Sequence, residues 1–297
     1  MPYLSKIALL TVLIHPLLGW ALDLQPNDIV APLPDRTIAM VSFFNTENTN
    51  FYKNGSVSTI GPYANPVIDN VNYIARLSRS YTFGDLPGLS FIQAPYATTT
   101  PSGSLATNPS SSGIGDTTLA TAIWPYANHD TRTYFAVAAY LILPTGSYNS
   151  SQAFNVGNNR YSSDLQVGFQ KRITQNLEGI IAIDSQWFGG NSQCAAACGS
   201  TTNTSLTQKP VITTQLGPIY KINQTFTLGA SYFYVTGGAT EINNVYQNNV
   251  MNTQRFLLSA LAYTDIGRFS LQYGRDIDVQ NGFMQNRLLA IRYLKAF

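Results

Sequence analysis

The chain has 297 residues and is nearly neutral, with 17 Lys and Arg against 15 Asp and Glu. Only 11% of its residues are charged, against about 25% in ordinary soluble domains, while Tyr and Phe number 18 and 15. Such a composition presents no basic face for nucleic acid, and two histidines leave little for acid–base chemistry.

Residues 1–21 read as a secretory signal peptide. Lys6 precedes an apolar run from Ile7 to Ile14, and Gly19-Trp20-Ala21 places small residues where a signal peptidase cuts, after Ala21. The run is too short to span a bilayer and Pro16 interrupts it. Residues 22–35 are expected to form a periplasmic lead, and residues 36–297 the folded body. No later stretch of about 20 apolar residues provides a membrane helix. A secreted, charge-poor, aromatic-rich chain without a helical span suits a closed transmembrane β-barrel.

A two-residue period supports that expectation, because it places alternate side chains on opposite sheet faces. Twelve strands are predicted, at 36–45, 70–82, 86–96, 115–125, 132–144, 161–173, 177–188, 208–220, 225–237, 253–264, 268–278 and 283–297. In the second, Val71, Tyr73, Ala75 and Leu77 oppose Asn70, Asn72, Arg76 and Ser78. In the sixth, Leu165, Val167 and Phe169 oppose Asp164, Gln166, Gln170 and Arg172. The connections alternate between long polar segments and brief turns such as Gly84-Asp85 and Asp265-Ile266-Gly267. Long outer and short periplasmic connections characterise outer-membrane barrels. A soluble β-sandwich shares the alternation but has no reason to sort its loops this way. The fold class is therefore all-β: an antiparallel up-and-down barrel in the bacterial outer membrane, with the lipid bilayer as its surroundings.

Carrying the apolar-out parity through the strands points Arg76, Asp164, Gln166, Gln170, Arg172, Glu178, Asp184, Gln272, Asp276 and Arg292 into the lumen. Those charges either neutralise one another and fix register, or form a mixed-charge constriction that selects what passes. Tyr73, Trp124, Trp187 and Tyr293 are expected on the outer face as an interfacial girdle. Cys194 and Cys198 have the spacing C-A-A-A-C; a local disulfide leads in an oxidising compartment, and a metal site would want more ligands. The last strand places Leu289, Ile291, Tyr293 and Phe297 on one face. It resembles the recognition strand by which the barrel-assembly machinery engages such proteins, with Tyr293 and Phe297 as the insertion signal. Lys295 departs from that pattern, and its amine is expected to snorkel to water.

Several segments resemble one family. They are the lead Ala21–Pro34, Gly113-Ile-Gly-Asp116, Tyr134–Gly146, Asn155-Val-Gly-Asn-Asn-Arg-Tyr161, Gly237-Gly238 and Asn281-Gly-Phe283, in that order. Together they resemble the MetA-pathway of phenol degradation family of outer-membrane proteins. The resemblance implies import of aromatic or other hydrophobic compounds and carries no catalytic residues. Enzymatic readings find little support: His129 is followed by Asp130 in a predicted periplasmic turn, and no phosphate-binding glycine loop is present. The expected function is passive channelling of small hydrophobic or aromatic compounds, with no cofactor and no metal. The alternative is a structural or surface-interaction protein with a closed lumen.

Overall fold

The computed structural model describes residues 23–297; the signal peptide expected at 1–21 lies outside them. Twelve long strands form a closed antiparallel barrel in which each strand pairs with its sequence neighbours. They are β1 (Thr37–Lys53), β2 (Pro66–Phe83), β3 (Leu86–Gly103), β4 (Thr117–Asn128), β5 (Thr133–Leu143) and β6 (Ser162–Arg172). They continue as β7 (Leu177–Phe188), β8 (Val211–Lys221), β9 (Phe226–Gly237), β10 (Met251–Thr264), β11 (Gly267–Val279) and β12 (Gly282–Ala296). Pairing of β1 with β12, from Ile38 opposite Ala296 to Tyr52 opposite Gly282, closes the barrel. Closure satisfies backbone groups that lipid cannot. Exposed apolar side chains such as Leu77, Ile92, Leu165, Ile183, Leu216 and Ile291 cover the outer wall.

The first three strands run further than their alternation suggests. Thr46–Asn50 and Thr98–Thr100 are polar on both faces, so the period-two signal fades although the ladder continues. At this extracellular end, Ser111–Ile114 pairs with β3. Four short strands at 191–194, 204–208, 240–242 and 245–246 form a separate small sheet over the mouth.

Two local departures from regular pairing matter for the interior. In β4 a register shift falls between Ile123 and Tyr126, at Pro125, which has no N–H to donate. Trp124, at 3% exposure, continues the inward face of Thr118, Ala120 and Ala122, so it is not part of the outer girdle; the shift after it brings Tyr126 to the outward position. Tyr73 and Trp187 do face outward. Between β11 and β12 the ladder runs only from Arg268 opposite Leu294 to Gly274 opposite Leu288. Above it, an Asp276 carboxylate oxygen accepts the Gln285 N–H at 2.7 Å.

The lead does not remain in the periplasm as expected. It folds into the lumen, where Gln25 and Ile29 are almost wholly buried. Its polar groups find inward-facing partners there that no periplasmic position would offer.

Candidate functional site

The site is the lumen and the segment that fills it. Asn27 adopts a positive φ of 70°, a conformation asparagine tolerates better than most residues. The turn gathers Asp28 back toward Gln25, whose N–H donates to Asp28 Oδ2 at 3.0 Å. Asp28 is then clamped by two arginines from the last strands, Arg268 at 2.8 Å and Arg292 at 3.0 Å. Burial alone would raise the Asp28 carboxyl, but Arg292 and Arg268 outweigh it and hold it below the usual carboxylate range. Asp23 reaches Arg255 at 2.6 Å; there burial outweighs the arginine and the carboxyl is raised.

Neutral groups complete the fit. Gln25 Nε2 donates to Gln272 at 2.5 Å, and Ser270 donates to Gln25 Oε1 at 2.9 Å. Gln215 brackets Leu24, accepting its N–H and donating to its carbonyl. Asn27 donates to the Tyr263 hydroxyl at 2.6 Å and accepts from Gln170 at 3.0 Å. The Trp124 indole donates to the Ile29 carbonyl at 2.7 Å. Ile29 and Ala31 pack among Trp124, Tyr134, Ile180 and Ile219. Beside the lead, a cavity of about 690 Å³ opens toward the periplasmic turns, lined by Asn27, Arg132, Lys221, Tyr263 and Arg268 among others.

Of the ten residues expected inside, nine are buried or half-buried in the structure. Gln170, Glu178, Gln272 and Arg292 touch the lead or its immediate partners. Glu178 also bonds Arg132 and lies 2.8 Å from Lys221. Arg76 donates to Gln93 at 2.8 Å and lies over the Phe91 ring at 4.0 Å. Asp164 and Asp184 sit on β6 and β7, and Gln166 between them accepts from the Tyr140 hydroxyl at 2.9 Å. Asp276 caps the open end of the β11–β12 ladder. Arg172 is the exception: the last residue of β6, it is exposed at the periplasmic rim and donates to the Asp130 carbonyl. Parity carried it past the point where the strand bends into a turn.

The inward apolar residues are what sequence parity missed. Met40, Phe44, Ile74, Leu288 and Ala290 form one buried cluster with Phe233 and Leu257. Five of these seven lie on the adjacent strands β12, β1 and β2. Toward the extracellular end a second cluster contains Phe51, Tyr63, Ile68, Leu105 and Phe154, with Phe283 against it. The rings of Phe51 and Tyr63 stack at 4.2 Å, and Phe51 meets Phe283 at 5.0 Å. Two apolar clusters thus lie on this side of the lumen, one at the mouth and one at mid-barrel, with Thr46, Asn48, Asn70 and Gln285 buried between them, while β6 and β7 present carboxylates and amides.

Outside the lumen, Cys194 and Cys198 are joined in a disulfide, with Cα atoms 5.6 Å apart, packed against Leu206 in the outer sheet. His129 stays in its periplasmic turn, 3.1 Å from the Tyr134 hydroxyl. Among the described residues no group of three or more His, Cys, Asp and Glu is placed to hold a metal ion.

The model of the family described as MetA-pathway of phenol degradation matches residues 49–293. A crystallised outer membrane channel from Pseudomonas putida F1 superposes with a TM-score of 0.86 at 25% identity, covering 93% of this chain and all of that one. The β domain of the Bordetella autotransporter BrkA gives a TM-score of 0.49 at 9% identity, covering 89% of this chain and all of the other. A TodX monoaromatic hydrocarbon channel mutant also gives 0.49 at 9%, covering 90% and 91%. No curated protein sequence matches. The Pseudomonas putida F1 structure is described as an outer membrane channel.

Proposed function

The chain belongs to the MetA-pathway of phenol degradation family and is an outer-membrane β-barrel channel, and on that premise we propose that it passively admits small hydrophobic or aromatic compounds. The observation that carries this reading is the pair of apolar clusters on one side of the lumen. A channel for hydrated solutes is lined by polar groups, and here Phe44, Met40, Ile74 and Leu288 face inward below a ring-lined mouth. The lead narrows the way for water-borne solutes, and the cavity beside it provides the periplasmic exit. No step of this passage calls for catalysis.

Whole cells test it, because an intact outer membrane resists hydrophobic solutes in a way that plain liposomes do not. Cells expressing the channel should accumulate labelled toluene faster than cells without it, with no gain for arabinose. Leu288→Asn should reduce the toluene gain. Faster arabinose entry without faster toluene entry would overturn the reading. A closed-lumen surface protein, the alternative suggested by the hydrogen-bonded lead and the stapled outer sheet, would change neither.

In the same reading, the barrel-assembly machinery takes up the chain by β12. Tyr293 packs on Phe269 at 4.9 Å and donates to the Ile266 carbonyl at 2.7 Å. Phe297 exchanges both backbone hydrogen bonds with Thr37 across the seam, and its ring is exposed at the membrane boundary. Phe297→Asp is expected to leave chain in the periplasm, where it is degraded, while Lys295→Ala inserts normally. The gel shift between unboiled and boiled samples reads this, and a wild-type shift for Phe297→Asp would rule the role out.

A further inference from the structure

Beneath the outer loops, a cavity of about 60 Å³ lies between the extracellular ends of β2 and β3 and the loop 144–161. By the yardstick of roughly 15 Å³ for one enclosed water, it holds a few waters or one small polar head group. Its polar lining is almost entirely committed. Asn70 bonds Thr46 and Thr99. Tyr148 donates to the Gln193 carbonyl and accepts from Asn191. Asn155 is bonded at both ends within its loop, and Asn158 donates twice to Asp116.

Arg160 is different. It is only 5% exposed, and among the described residues no carboxylate lies within ion-pair distance of it. Its Nη2 donates to Gln208 at 2.5 Å, and its guanidinium lies over the Phe188 ring at 4.6 Å. Its Nη1 is buried without any hydrogen-bond acceptor. Asp116, whose field does reach Arg160, spends its oxygens on Gly146 and Asn158. Burial lowers the guanidinium to about 10, which leaves it charged at neutral pH. A buried charge without a hydrogen-bonded counter-ion is costly, and a planar donor fork matches a carboxylate.

One further neighbour narrows the ligand. Phe154 lines this cavity and also belongs to the aromatic cluster of the mouth. We propose that this chamber is a binding site for small aromatic acids, with the carboxylate held by Arg160 and the ring resting on Phe154 at the mouth. The proposal deepens the uptake reading and rests on it for its biological purpose, though not for its chemistry.

Calorimetric titration of the detergent-solubilised full chain with benzoate, benzamide and acetate tests it. Benzoate should bind saturably at one site, with the isosteric but uncharged benzamide at least about tenfold weaker. Acetate, which has no ring, should also bind weakly. Arg160→Gln should weaken benzoate to the benzamide level, and Phe154→Ala should bring benzoate down to the acetate level. Equal affinity for benzoate and benzamide would overturn the site, and that comparison uses the wild-type chain, so it survives misfolding of either variant. Unchanged benzoate binding by a folded Arg160→Gln would do so too. If toluene uptake fails while benzoate still binds through Arg160, the transport reading falls and the site stands.

Discussion

Deleting residues 23–31 is expected to turn an occluded barrel into an open pore, with single-channel conductance several-fold above wild type. Barrel width explains why. Eight strands make a lumen that side chains alone can fill, and sixteen leave an aqueous channel. Twelve strands fall between, and in this protein the lead occupies the remaining space. Every strand-to-strand hydrogen bond survives the deletion, so the wall should stay intact. What goes is Asp23 and Asp28, and with them the counter-charges of Arg255, Arg268 and Arg292. The opened pore should therefore shift toward anion selectivity. Planar-bilayer recordings with a salt gradient report both quantities. Wild-type conductance in the deletion variant would mean that the lead is not what blocks the lumen.

Val167→Arg should be the most damaging single change to the wall. Val167 sits midway along β6, opposite Val137 on one neighbour and Ile183 on the other, with its side chain on the outer face. An arginine facing lipid near the midplane costs about 2–4 kcal/mol. Gln166, one residue away, faces inward and bonds Tyr140, so Gln166→Ala should keep the folded gel mobility. Denaturant titration of the two variants in lipid measures the difference. Equal stabilities would show that the faces of β6 have been assigned the wrong way round.

The wall was legible in the sequence because lipid and water impose opposite demands on alternate residues. Leu165, Val167 and Phe169 against Asp164, Gln166 and Gln170 is that contrast in its plainest form. It fails where both faces are apolar. On β12, inward Leu288 and Ala290 stand beside outward Leu289 and Ile291, and on β1 inward Met40 and Phe44 stand beside outward Val41. Parity cannot tell a greasy lumen from a greasy exterior, so the apolar clusters of the lumen were invisible. Trp124 differs for another reason: an aromatic near a strand end suggests the girdle, whereas its parity with the buried Thr118 and Ala120 already places it inside. The lead was hidden because its meaning lies in distant partners. Two carboxylates in a chain with so few charges were the available hint, but nothing near them named Arg255, Arg268 or Arg292.

That distance has a consequence for how the protein is made. Asp28 is separated from its two arginines by 240 and 264 residues, among the longest spans the chain contains. Contacts this remote form late, because the intervening chain must be gathered first. Both arginines belong to the final hairpin, β11 and β12, and β12 is also the strand that seals against β1. A lead still outside when that seam zips would have to thread back through the periplasmic mouth, past side chains it is meant to bond. The final hairpin and the lead are thus expected to condense together, with Asp28 drawing Arg292 toward the seam it completes. The segment that precedes every strand in the chain waits through the assembly of nearly all of them, and is among the last to become ordered.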